Sequence, residues 1–82
     1  MFTVLTTPGY DRDYRKLPAQ IQEHVDQQVQ RLRLDPHHPS LRAHKRAGEN
    51  EVWQSRITRN YRLYFLMEGD IITLLAVGPH EK

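Results

Sequence analysis

Between positions 41 and 62 the chain gathers Arg42, Lys45, Arg46, Arg56, Arg59 and Arg62, opposed only by Glu49 and Glu51. The formal net charge of the whole chain is only +2. The segment before the cluster mixes both signs through Asp11, Arg12, Asp13, Arg15, Lys16, Glu23 and Asp26. A basic centre on a nearly neutral chain fits either a local anionic partner, with phosphate the first candidate, or a solvated basic face. The other groups able to do chemistry are histidines. His37 and His38 stand between Pro36 and Pro39 and could be joined by His44 or His80 in a metal site. Adjacent histidines seldom both reach one ion, and no carboxylate-rich cluster or cysteine accompanies them, so no metal and no cofactor is expected.

These side chains must be positioned by a short chain. At 82 residues a single domain spanning 1–82 is expected, with a compact core because small chains bury only ~60% of their unfolded surface. Trp53, four tyrosines and the Ile71-Ile72 and Leu74-Leu75 pairs supply core-forming residues. The absence of cysteine removes disulfides as a support. No stretch approaches the ~20 apolar residues of a membrane helix, and the N-terminus lacks a signal-peptide pattern. A soluble cytoplasmic protein with no membrane partner is the expectation.

The period of the apolar residues gives the elements. Phe2-Thr3-Val4-Leu5 is β-prone. Thr7 then reads as an N-cap with Pro8 at the first helical position, and Tyr10, Tyr14 and Leu17 share one helix face. Pro18 opens a second helix whose stripe is Ile21, Val25, Val29 and Leu32, and Asp35-Pro36 ends it. Beyond the connector the period changes to two. Residues 41–46 read as a short strand, Gly48-Glu49-Asn50 as a turn, and residues 52–58, 61–67 and 71–77 as further strands. Gly69-Asp70 makes a turn, and Gly78-Pro79 is expected to stop the last strand. The predicted fold is α+β: a short N-terminal strand, a helical hairpin, then a three- to four-stranded antiparallel sheet, in the order β-α-α-β-β-β-β.

If Trp53, Ile57, Leu63 and Phe65 face the helices, alternation sends Gln54, Arg56, Arg62 and Tyr64 to the opposite face. Arg56 and Arg62 then lie on neighbouring strands of one hairpin, where two guanidiniums form a phosphate clamp. Pairing with Glu51 or Glu68 on an exposed strand is the plainer alternative.

Several segments in this order resemble the RelE/ParE toxin superfamily. They are Leu41-Arg42-Ala43-His44-Lys45, Val52-Trp53-Gln54-Ser55-Arg56, Asn60-Tyr61-Arg62-Leu63-Tyr64 and Val77-Gly78-Pro79-His80. The connector Asp35-Pro36-His37-His38-Pro39-Ser40-Leu41 is similar as well. The resemblance implies the toxin of a type II toxin–antitoxin system, here a RelE-like ribonuclease that cuts mRNA in the ribosomal A site. It also implies a cognate antitoxin, with ribosome and mRNA as the other partners, and a toxin–antitoxin hetero-oligomer.

RNA carries its own nucleophile in the 2′-hydroxyl, so such a nuclease needs no metal. It must take up that proton, neutralise charge on the phosphoryl oxygens and protonate the leaving 5′-oxygen. On the resemblance, Arg62 is the principal clamp, Arg56 its partner and His80 the proton-transfer residue. Lys45 and Arg46 would hold flanking phosphates, and Arg42, His44, Gln54, Arg59 and Tyr64 complete the RNA-contacting set. His44 is a second candidate base, or else a surface histidine. Gln54 holds a neutral amide where some RelE members place lysine. Many RelE-like nucleases also carry a further C-terminal segment, whereas this sequence ends at Lys82. These departures leave a catalytically inert RNA- or protein-binding member of the same fold as one alternative. The other is a ParE-like inhibitor of DNA gyrase, a branch that shares the fold but generally lacks the histidine matching His80 and the clustered strand basics.

Overall fold

The computed structural model describes residues 1–46 and 51–80. Its elements are β1 (Thr3–Thr6), α1 (Pro8–Arg15), α2 (Ala19–Leu34), a 3-10 turn (Pro39–Leu41), β2 (His44–Lys45), β3 (Trp53–Arg56), β4 (Tyr61–Glu68) and β5 (Ile71–Pro79). The strands form one sheet in the order β1-β5-β4-β3-β2. Neighbours from β5 to β2 are antiparallel, as expected, but β1 adds a fifth strand parallel to β5. Parallel strands need a long crossover, and the helical hairpin serves as part of it.

Several strand boundaries differ from expectation, including β3, which spans only Trp53–Arg56 of the expected 52–58. The segment beginning at Leu41 starts as the 3-10 turn and pairs only at His44 and Lys45. His38 caps that turn, its Nδ1 accepting from Ser40 N at 3.1 Å, and Arg42 ends it in the left-handed region at φ 49°. The turn expected at Gly48-Glu49-Asn50 lies outside the described residues. At the other end β5 runs through Gly78 and Pro79, opposite Arg62 and Tyr61. Proline is tolerated there because that edge of β5 lies beyond the end of β1, so no ladder bond needs its missing N–H.

One sheet face carries the core. Leu63, Phe65, Ile72, Leu74 and Val77 are buried together with Val25 and Leu32 of α2, Tyr10 of α1 and Leu41. Ile21, Val29 and Trp53 pack partly buried against them, in line with the expected helix stripe and strand alternation. The predicted Thr7 cap is present: its Oγ1 accepts from Tyr10 N at 3.2 Å and donates to Leu74 O at 2.9 Å. Tyr14 ties the helices together by donating to Asp26 Oδ1 at 2.9 Å. Helix α1 also covers the part of β5 that β1 leaves unpaired, since Val77 N donates to Asp13 Oδ2 at 3.2 Å. No helix among the described residues is long and apolar enough to cross a membrane.

Candidate functional site

On the sheet face opposite the core, the register aligns the basic residues. Arg56 of β3 is the Cα partner of Arg62 on β4, which is in turn opposite Gly78 of β5. The next row runs His44, Gln54, Tyr64, Ala76 across four strands. Cross-strand partners share a face and sit with Cβ atoms ~5 Å apart, so the two rows form one continuous surface. Glycine and alanine on β5 leave the centre of that surface open. Between the Tyr64–Ala76 and Phe65–Leu74 pairs the register shifts, leaving Leu75 as an extra residue. Such a bulge increases local twist beside the groove.

That groove has a volume of about 600 Å³, and Asp13, Arg46, Gln54, Tyr64, Gly78 and His80 are among the residues lining it. His80 is held by its backbone, whose N–H donates to Asn60 O at 2.6 Å, while its side chain stays exposed. Arg46 lies over the Tyr64 ring, with its guanidinium carbon 5.1 Å from the centroid. His44 is oriented by a bond from Nδ1 to the carbonyl of Arg42, 3.0 Å long. A carbonyl only accepts, so Nδ1 carries the proton and Nε2 is left for a ligand.

The two central arginines differ in their commitments. Arg62 Nη1 donates to three carbonyls of the β3–β4 turn, those of Thr58 at 2.8 Å, Tyr61 at 3.0 Å and Arg59 at 3.1 Å. Arg56 makes no side-chain hydrogen bond among the described residues, and neither arginine pairs with a carboxylate there. Glu51 pairs instead with Lys45, Nζ to Oε2 3.4 Å.

Lys45 stands apart from the other basic residues. It is the partner of Trp53, which is opposite buried Phe65, so it belongs to the helix-side face. Its ammonium lies 5.9 Å from the Trp53 ring centroid. Arg42 and Arg59 are exposed at turns, and each lends a carbonyl to a neighbouring site residue.

Two groups that support the site escaped the sequence reading. Gln28 of α2 is buried, and its Nε2 donates to Arg56 O at 2.9 Å and Ser40 O at 3.3 Å. Its Oε1 accepts from Arg31 Nη1 at 2.9 Å. A polar residue three positions after Val25, on the apolar stripe, was the available signal. Asp13 gave none, because its groove position depends on α1 crossing the edge of β5.

The model of the family described as "ParE toxin of type II toxin-antitoxin system, parDE" matches residues 4–82. The chain belongs to this family, and the protein is a toxin of a type II toxin–antitoxin system within the RelE/ParE superfamily. Solved structures share its fold at low sequence identity. A YoeB/ParE toxin from Agrobacterium tumefaciens is 16% identical, with TM-score 0.82, over 98% of this chain and 100% of that one. The toxin–antitoxin complex RelBE2 from Mycobacterium tuberculosis matches at 23% identity and TM-score 0.80, over 96% of this chain and 98% of that one. The RelBE toxin–antitoxin complex of E. coli matches at 15% identity and TM-score 0.79, with both chains fully covered. No curated protein matches the chain by sequence.

Proposed function

We propose that this toxin is a ribosome-dependent, metal-independent endoribonuclease that cuts mRNA in the A site. The observation that carries this reading is the Arg56–Arg62 cross-strand pair on an open sheet face, unpaired with carboxylates among the described residues. In the reaction the 2′-oxygen bonds to the adjacent phosphorus and the bond to the 5′-oxygen breaks. The products are a 2′,3′-cyclic phosphate and a free 5′-hydroxyl. Arg56 and the remaining guanidinium N–H groups of Arg62 bind the non-bridging oxygens as charge grows on them. His80, two residues beyond Gly78 and tied by its N–H to Asn60 O, has the proton-transfer role. His44, with Nε2 directed away from its carbonyl anchor, is the second proton-transfer candidate. Arg46, Gln54 and Tyr64 bind the flanking RNA, with Arg42 and Arg59 at the margins.

A cognate antitoxin belongs to this reading. The mycobacterial and E. coli RelBE structures, and the Pyrococcus horikoshii RelE–RelB structure, are complexes of toxin with antitoxin. The basic open face is the surface that such a partner would neutralise, giving a cytoplasmic hetero-oligomer that keeps the toxin from ribosomes.

The second reading is a ParE-like poison of DNA gyrase. The description of the family model and the engagement of Arg62 Nη1 with three turn carbonyls favour it. Pulse-labelling of protein and DNA synthesis after brief induction separates the two, with mRNA 5′ ends mapped in the same samples. Early collapse of protein synthesis with new A-site cuts, lost in Arg62→Ala and His80→Ala, supports the nuclease. Failure of DNA synthesis first would sink it in favour of gyrase.

A further inference from the structure

The amide of Gln54 is unlike those of the glutamines that hold the fold together. Gln22 Nε2 donates to Tyr14 O at 2.8 Å, and Gln28 is engaged through both ends. Gln54 is partly buried and lines the groove, yet its amide makes no hydrogen bond among the described residues. Its Cα partner is Tyr64, whose ring also lines the groove and is covered by the Arg46 guanidinium at 5.1 Å. A flat cation resting on that ring marks it as a stacking platform, and exposed Arg46 is free to lift and admit a second planar group.

We propose that Tyr64, Arg46 and Gln54 form a nucleobase subsite that prefers adenine; this rests on the reading of the open face as an RNA surface. The base stacks on Tyr64 with Arg46 over it or on its phosphate, as aromatic and guanidinium planes bind unstacked bases. Gln54, one cross-strand step away, then faces the edge of the base. A primary amide offers one donor and one acceptor side by side, which matches N7 and N6 of adenine. With the base docked by this same Hoogsteen edge, guanine presents two acceptors, O6 and N7, and leaves the amide oxygen facing an acceptor. Pyrimidines offer less surface for stacking on the ring.

The test is a chemical-shift titration of the isotope-labelled toxin with 5′-AMP, GMP, CMP and UMP, and with inorganic phosphate. The expected result is a shift of the Gln54 side-chain amide and Tyr64 ring signals, with AMP bound about fivefold or more tighter than the others. Gln54→Leu erases the difference between AMP and GMP. Tyr64→Leu weakens AMP about tenfold or more, as loss of one stacked base does, while Tyr64→Phe retains it. Equal affinities for the four nucleotides overturn the proposal, as do shifts reproduced by phosphate alone or an effect confined to other residues. No ribosome or cleavage is involved, so failure of the nuclease reading in cells and failure of this subsite register separately.

Discussion

Arg62 and Arg56 are cross-strand partners with different local duties, and that difference is measurable. Arg62 Nη1 holds three carbonyls of the β3–β4 turn, whereas Arg56 has no such engagement among the described residues. On the proposed nuclease reading, each substitution to alanine is expected to slow cleavage about a hundredfold, the usual cost of one transition-state charge contact. Arg56→Ala should leave urea-unfolding stability within about 0.5 kcal/mol, while Arg62→Ala should also lower it by about 1–2 kcal/mol. Single-turnover cleavage beside urea unfolding checks both, and equal stability losses would show that the turn contacts of Arg62 contribute little. Ser55 makes the opposite case. It is 1% exposed on the core side of β3, and its Oγ has no partner among the described residues. Ser55→Ala is therefore expected to be neutral or to stabilise by about 1 kcal/mol, read as an unchanged or higher urea midpoint. The alternation of residues 52–58 put Ser55 on the inward face, but only the packing shows that no acceptor among the described residues meets it.

At the scale of elements, the placing of the Arg56–Arg62 pair depends on how α2 is docked. Gln28 carries the carbonyls of Arg56 and Ser40, so it joins α2 to the end of β3 and to the 3-10 turn before β2. Gln28→Leu keeps side-chain bulk but strands those carbonyls, and should cost about 1–3 kcal/mol in urea unfolding. It should also move the Arg56 amide resonance and slow cleavage; unchanged stability would mean that water replaces the amide without loss. The helices themselves were legible from Thr7-Pro8, from Pro18 and from the stripe Ile21, Val25, Val29 and Leu32. The extent of β5 was not, because Pro79 stops a strand only where a neighbour needs its N–H, and none does here.

For the whole molecule, the clearest pH dependence lies on the alkaline side. Burial, then the nearby charges of Tyr14, Asp26 and Asp11, holds the Tyr10 phenol well above the ordinary tyrosine value of 10.0. The hydrogen bond that Tyr14 donates to Asp26, with some burial, raises Tyr14 as well. A raised folded-state value means the unfolded chain loses these protons first. The stabilisation is fully present below about pH 10 and is lost as pH climbs through the folded-state values. Urea midpoints should therefore be level in this respect from pH 8 to about 9.5 and fall above pH 10. Tyr10→Phe should flatten that fall, and an equally steep decline in this variant would assign it to other groups.

By itself the sequence determined the element order, the two helix faces, the strand alternation and the placing of Arg56 and Arg62 on neighbouring strands of one hairpin. These follow from local periodicity and from turns closed by neighbouring residues, which need no knowledge of distant partners. Tertiary structure alone decided the parallel docking of β1 on β5, the turning of Lys45 to the helix-side face and the burial of Gln28. It also brought Asp13 to a groove shared with His80, 67 positions further along the chain by their numbering. Each depends on contacts between segments far apart in sequence, where the deciding quantity is which unsatisfied edge or carbonyl lies across the gap. No periodicity records that.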